Sequence, residues 1–136
     1  MSSGPAYAQK TITGKTWTRW DEGRKIAYLT GFYAGFTADG DLFRQAERDH
    51  PLRKPAERNP ASVDRYKAER REYFSRELKY DFKLIMATLD AFYTDPDNMP
   101  IPVNEAIRIV ALRADGNHER SDYLLQRERR KALKGQ

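Results

Sequence analysis

An all-α fold, a small bundle of about four main helices with one long helix and no sheet, is what the sequence predicts. Three observations carry that expectation. Apolar residues recur at steps of three and four along much of the chain. The stretch from Ala61 to Tyr93 holds neither glycine nor proline. No segment shows the strict apolar–polar alternation of a half-buried strand.

Residues 1–16 are polar and rich in Ser, Gly and Thr, and are expected to be disordered or loosely docked. Residues 17–136 then form a single helical domain, because 136 residues suffice for one core and not two. Within the leader, Ala6 and Ala8 stand at the spacing of the small residues before a signal-peptidase cut, so the segment reads as a signal-peptide remnant. A periplasmic or secreted protein cut after Ala8 is the expectation; a cytoplasmic one is the alternative.

The first helix is expected over Glu22 to Ala38, with Asp21 as its cap and Gly40 in "ADGD" as its stop. Ile26, Leu29, Tyr33 and Phe36 form an apolar stripe that Tyr28 and Phe32 widen. Ala27, Gly31, Ala34, Gly35 and Ala38 form a separate strip of small side chains. Each interior glycine costs about 1 kcal/mol against alanine, so the strip is expected to admit a closely packed neighbouring helix. A short helix around Leu42–Arg48 follows, then an extended loop broken by Pro51, Pro55 and Pro60.

Asn59 and Pro60 are the expected start of the long helix, running to Tyr93. Leu78, Phe82, Ile85, Leu89 and Phe92 form its seam, and Glu72–Arg76 is an i,i+4 pair in its charged first half. "TDPDNMPIP" is a turn and extended segment. Pro102 opens the next helix, which buries Val103, Ala106, Ile107 and Val110 and closes at Gly116. The last helix spans about His118 to Leu133.

Composition narrows the functions. No apolar run approaches the roughly 18 residues of a membrane span. With 0 cysteines, disulfides, thiolate metal sites and a cysteine nucleophile are excluded. The two histidines, His50 and His118, lack a partner at zinc-ligand spacing. Asp39/Asp41 and Asp95/Asp97 faintly resemble calcium loops, but Ala46 stands where the first would need its glutamate, and both read as capping or turn residues. No phosphate-cradling glycine loop or nucleophile elbow is present. The expectation is therefore a protein without catalytic residues, cofactor or metal.

Net charge is +5, with the excess at the two ends. The tail "RERRKALK" sets Arg127, Arg130, Lys131 and Lys134 at helical spacing, which makes a basic nucleic-acid-binding module the alternative function. Glu128 interrupts the run and no stacking aromatic is interleaved, so a solvated helix end is the primary reading. Binding to another protein is the leading function, by a monomer or weak homo-oligomer. The candidate partner-binding residues are Tyr66, Arg70 and Tyr73 on the long helix and the aromatic pair Trp17 and Trp20.

The blocks "YLTGFYAGF" and "LDAFYTDPDNMPIP", followed by "VNEAIRIVAL", resemble the small helical immunity proteins of type VI secretion, the Rap/Tai family. The matching positions are Tyr28, Gly31, Gly35, Phe92, Tyr93, Pro96, Pro102, Val110, Ala111 and Leu112. The resemblance covers about half the chain and implies an exported helical protein with an immunity-like, inhibitory role. Members often carry a disulfide, which this chain cannot form, and the charged insertion from about Asp41 to Arg76 has no counterpart in the pattern.

Overall fold

The computed structural model describes residues 11–49 and 68–135, with side chains described at 11–36 and 68–135. Its elements are helical: α1 (Gly14–Trp17), α2 (Glu22–Asp49), α3 (Phe82–Phe92), α4 (Val103–Ala114) and α5 (His118–Lys134), with a helical turn at 68–71 and a 3-10 turn at Pro96–Asn98. The all-α expectation holds. Among the described residues the sole β pairing is an isolated bridge between Thr13 and Pro102.

α4 lies at the centre. It buries Val103 and every residue from Ala106 to Leu112, with α3 packed on one side and α5 on the other. α2 joins this stack through α3. The α4–α5 crossing is pinned by Ser121, fully buried, whose hydroxyl donates to the Ile109 carbonyl at 2.9 Å. Both ends of α4 form where expected. Pro102 precedes it, and Gly116, at φ +84, supplies the left-handed residue while the Asn117 amide closes back on the Leu112 carbonyl at 2.9 Å. Asn117 then caps α5.

Residues 1–10 of the leader lie outside the described residues, and of its two expected states, disordered or docked, 11–16 take the docked one. Val103 donates its amide to the Ile12 carbonyl at 2.7 Å, and Gly14 donates to the Met99 carbonyl at 3.0 Å. Gly14 is glycine for steric reasons: a Cβ there would run into the Tyr93 ring and lie 2.9 Å from the Met99 carbonyl oxygen.

α2 starts as expected, the Arg24 amide donating to Asp21 at 2.8 Å. It does not stop at Gly40. The helix continues through "ADGD" to Asp49, 28 residues in all, and absorbs the separate helix expected at Leu42–Arg48. Propagating a helix through one glycine costs about 1 kcal/mol, less than ending it and nucleating another two residues later.

The apolar stripe of α2 faces the core, with Leu29 and Tyr33 buried and Ile26 and Phe36 partly so. The small strip faces solvent. Ala27, Gly31, Ala34 and Gly35 are exposed, and among the described residues nothing lies within 4 Å of where a Cβ on Gly31 or Gly35 would stand. The expected tight helix crossing is therefore absent at these residues, and the fifth member, Ala38, lies outside the described side chains. Gly35→Ala should therefore stabilise by about 0.5–1 kcal/mol through helix propensity alone. A lowered thermal midpoint for Gly35→Ala would mean that the strip is covered.

The expected long helix is the largest correction. Residues 50–67 lie outside the described residues, so its start at Asn59–Pro60 is not visible. Within 68–93 the helix is broken: 68–71 is helical, 72–80 turns, Lys79 takes a positive φ of 52, and α3 begins afresh on its Asp81 cap. The seam residues Leu78, Ile85 and Leu89 are buried in the monomer core, with Phe82 and Phe92 packed against it.

Candidate functional site

The break at 72–80 has a chemical cause that sits far away in sequence. Asp115, at the C-terminus of α4, accepts the Ser75 hydroxyl at 2.7 Å and the amides of Arg76 and Glu77 at 3.1 Å each. Ser75 in turn accepts the amides of Glu77 and Leu78 at 3.1 and 3.0 Å. Three consecutive amides are thereby taken from any helical ladder. Burial pushes the Asp115 carboxyl up, but the hydrogen bonds from Ser75, Glu77 and Arg76 outweigh it and hold the pKa below its usual value.

Glu72 fastens the other side of the reversal. Its carboxylate accepts from Arg108 Nε at 2.8 Å and Arg120 Nε at 2.9 Å, and a second guanidinium nitrogen of Arg108 adds an ion pair. Arg108 is 7% exposed, so this is a desolvated pairing of α4 and α5 to the reversal. Burial acts to raise the Glu72 pKa; the hydrogen bonds and charges of Arg120 and Arg108 prevail and lower it. The expected Glu72–Arg76 pair does not form, because no helix connects them. Beside it, the Arg108 guanidinium lies 5.7 Å from the Tyr73 ring centre.

With the chain reversed, Tyr73 and Phe74 come to lie on α2. The Tyr33 hydroxyl donates to the Tyr73 carbonyl at 2.9 Å. A ladder of rings results. Trp20 meets Tyr28 at 5.7 Å, Tyr28 stacks on Phe32 at 6.2 Å, Phe32 meets Phe36 at 4.9 Å, and Phe36 meets Tyr73 at 4.8 Å. Each of these five rings is partly buried, so the ladder shows one edge to the core and one to solvent.

Of the sequence-derived partner residues, Trp20 and Tyr73 form the ends of this ladder. Arg70 stands beside it, partly buried, with its guanidinium 5.4 Å from the Phe74 ring. Tyr66 lies outside the described residues. Trp17 is corrected: it is 0% exposed, its indole N–H donates to Asp90 at 2.8 Å, and it belongs to the core. An amphipathic ring near a helix start looks the same in sequence whether buried or exposed; the carboxylate that receives its N–H is 73 residues away. Phe32 and Phe36 join the ladder as well as the apolar stripe, and the i,i+4 spacing of Tyr28, Phe32 and Phe36 is what lines them up.

The other candidate positions resolve into packing roles. Asp95 accepts the Asp97 amide at 2.9 Å and pairs with Arg129 at 3.0 Å, as a turn residue does, while Arg129 also donates to Asn98. The side chains of Asp39 and Asp41 lie outside those described. On α5, Glu128 is buried and pairs with Arg127 at 3.2 Å and Lys131 at 3.3 Å; Arg127 also reaches Glu105 at 3.5 Å. No described helix is long and apolar enough to cross a membrane. No family model, no curated protein and no solved structure matches the chain.

Proposed function

We propose that this protein acts by binding another protein, without catalysis, in an immunity- or inhibitor-like role. The observation that carries the reading is the partly buried ladder of Trp20 just before α2, Tyr28, Phe32 and Phe36 on α2, and Tyr73 in the reversal. Rigid aromatic rings fixed on a helix lose little entropy on binding, and tryptophan, tyrosine and arginine dominate binding hot spots. The two carboxylates whose pKa the fold lowers, Glu72 and Asp115, are engaged in holding the reversal, which supports a non-catalytic reading. The inhibitory role rests on the resemblance to the Rap/Tai pattern, and an exported location rests on the Ala6–Ala8 spacing.

The nucleic-acid alternative draws less support from α5. Arg127 and Lys131 are ion-paired to Glu128, which leaves Arg130 and Lys134 as the cations of that set without a carboxylate partner among the described residues.

The test is an affinity comparison. The partner is isolated from the native source with the full chain, purified and titrated. Phe32→Ala should weaken binding by at least the roughly 2 kcal/mol of a hot-spot residue. Leu84→Ala, which truncates an exposed apolar side chain on α3, should leave it unchanged. Undiminished binding by Phe32→Ala, or tight duplex DNA binding that depends on Arg130 and Lys134, would overturn the reading.

A further inference from the structure

A second feature of the reversal is a cavity of about 460 Å³ lined by Arg70, Arg71, Phe74, Arg76, Tyr80 and Asp115. Three of its six lining residues are arginines. Arg108, Arg113, Arg120, Arg127 and Arg129 each face a carboxylate within ion-pair distance. Arg70, Arg71 and Arg76 have no such partner among the described residues. The Arg70 Nε is buried and has no hydrogen-bond acceptor among the described residues. The one carboxylate present, Asp115, has its oxygens taken by the Ser75 hydroxyl and two backbone amides. Three guanidinium groups against one carboxylate leave two positive charges in the cavity.

The cavity also offers ring faces. Phe74 and Tyr80 meet at 5.8 Å, inclined at 61°, and Tyr80 is 64% exposed, the most exposed aromatic side chain described. The volume falls within the roughly 300–1,000 Å³ of small-molecule sites. Guanidinium forks suit the oxygens of a phosphate, and a phosphate monoester carries about −1.5 to −2 charge at pH 7, matching the surplus. A ligand with a phosphate and a flat ring would meet both halves of the lining.

We propose that this cavity is a binding site for a phosphate monoester borne on a flat ring, the chemistry of a mononucleotide. The arginines hold the phosphate and Tyr80 with Phe74 holds the ring. The site adjoins the aromatic ladder but does not depend on a protein partner, so either reading survives the failure of the other.

The experiment is calorimetric titration of the full chain at low ionic strength with three probes: AMP, inorganic phosphate and adenosine. AMP should bind, and each of the two fragments should bind about tenfold more weakly or worse, having lost one half of the contacts. The double variant Arg71→Gln/Arg76→Gln should weaken AMP binding about tenfold or more, since it removes two charge-assisted contacts. Both residues are exposed, so its thermal midpoint should stay at the wild-type value. Arg130→Gln, which removes an exposed arginine on α5, should bind AMP as the wild type does. The proposal is overturned if AMP at millimolar concentration gives no binding, if inorganic phosphate binds as tightly as AMP, or if Arg130→Gln costs as much as the double variant.

Discussion

Trp17→Ala should destabilise the fold by about 3–5 kcal/mol, the range for emptying a fully buried large aromatic site. The ring is 0% exposed and contacts Trp20 and Tyr28 at 6.3 and 6.2 Å, so its loss leaves a cavity where α1, α2 and α3 meet. Trp17→Phe should cost less. It keeps an aromatic body and loses the hydrogen bond to Asp90, a carboxylate that retains its ion pair with Lys25 at 2.8 Å. Urea unfolding of the two variants measures the difference. A near-neutral Trp17→Ala would place the ring at the surface, where the sequence alone had set it.

Glu72→Ala should cost about 3 kcal/mol, the low end for breaking a buried pair, because it leaves the buried Arg108 guanidinium with Glu105, at 3.8 Å, as its remaining carboxylate. The exposed Arg113–Asp122 pair provides the scale, with side chains 53% and 59% exposed and an expected worth of about 0–1 kcal/mol. Glu72 also makes a pH prediction. Its folded pKa lies below its unfolded one, so the unfolded chain binds the proton first on acidification. The stabilisation is fully present above the ordinary glutamate range near about 4.3 and is lost as pH falls through the folded value. Unfolding free energies of wild type and Glu72→Ala between neutral pH and pH 3 should converge. Parallel pH profiles would mean that the Glu72 charge does not bear on stability.

The parts of the fold that could be read from sequence are those whose causes are local. Asp21 before α2, Pro102 before α4, and Gly116 with Asn117 between α4 and α5 each act within a few residues, and those boundaries form where expected. The break in the expected long helix could not be read, because Ser75 looks like an ordinary helical serine until Asp115, 40 residues on, is placed against it. The glycine strip failed for a related reason. Spacing shows that small residues share a face, whereas the position of the neighbouring helices decides whether that face is covered, and α3 packs against the other side of α2. On the candidate surface, Trp17 proves to be core, whereas Trp20, Arg70 and Tyr73 are partly buried beside Phe32 and Phe36 of the apolar stripe.

Both the aromatic ladder and the arginine cavity depend on the chain reversing between Glu72 and Asp81. Tyr33 reports on that reversal directly. Its ring lies 5.3 Å from Phe74 and 5.7 Å from Phe82, centre to centre. In a continuous helix those two phenylalanines would be separated by about 12 Å of axial rise, too far for one ring to touch both. The decisive measurement is an aromatic NOE spectrum of the full chain with assigned Tyr33, Phe74 and Phe82 rings. Cross-peaks from Tyr33 to both phenylalanines are the expected result. A cross-peak to only one of them, together with unbroken helical connectivities from Glu72 through Asp81, would contradict the reversal and everything built on it.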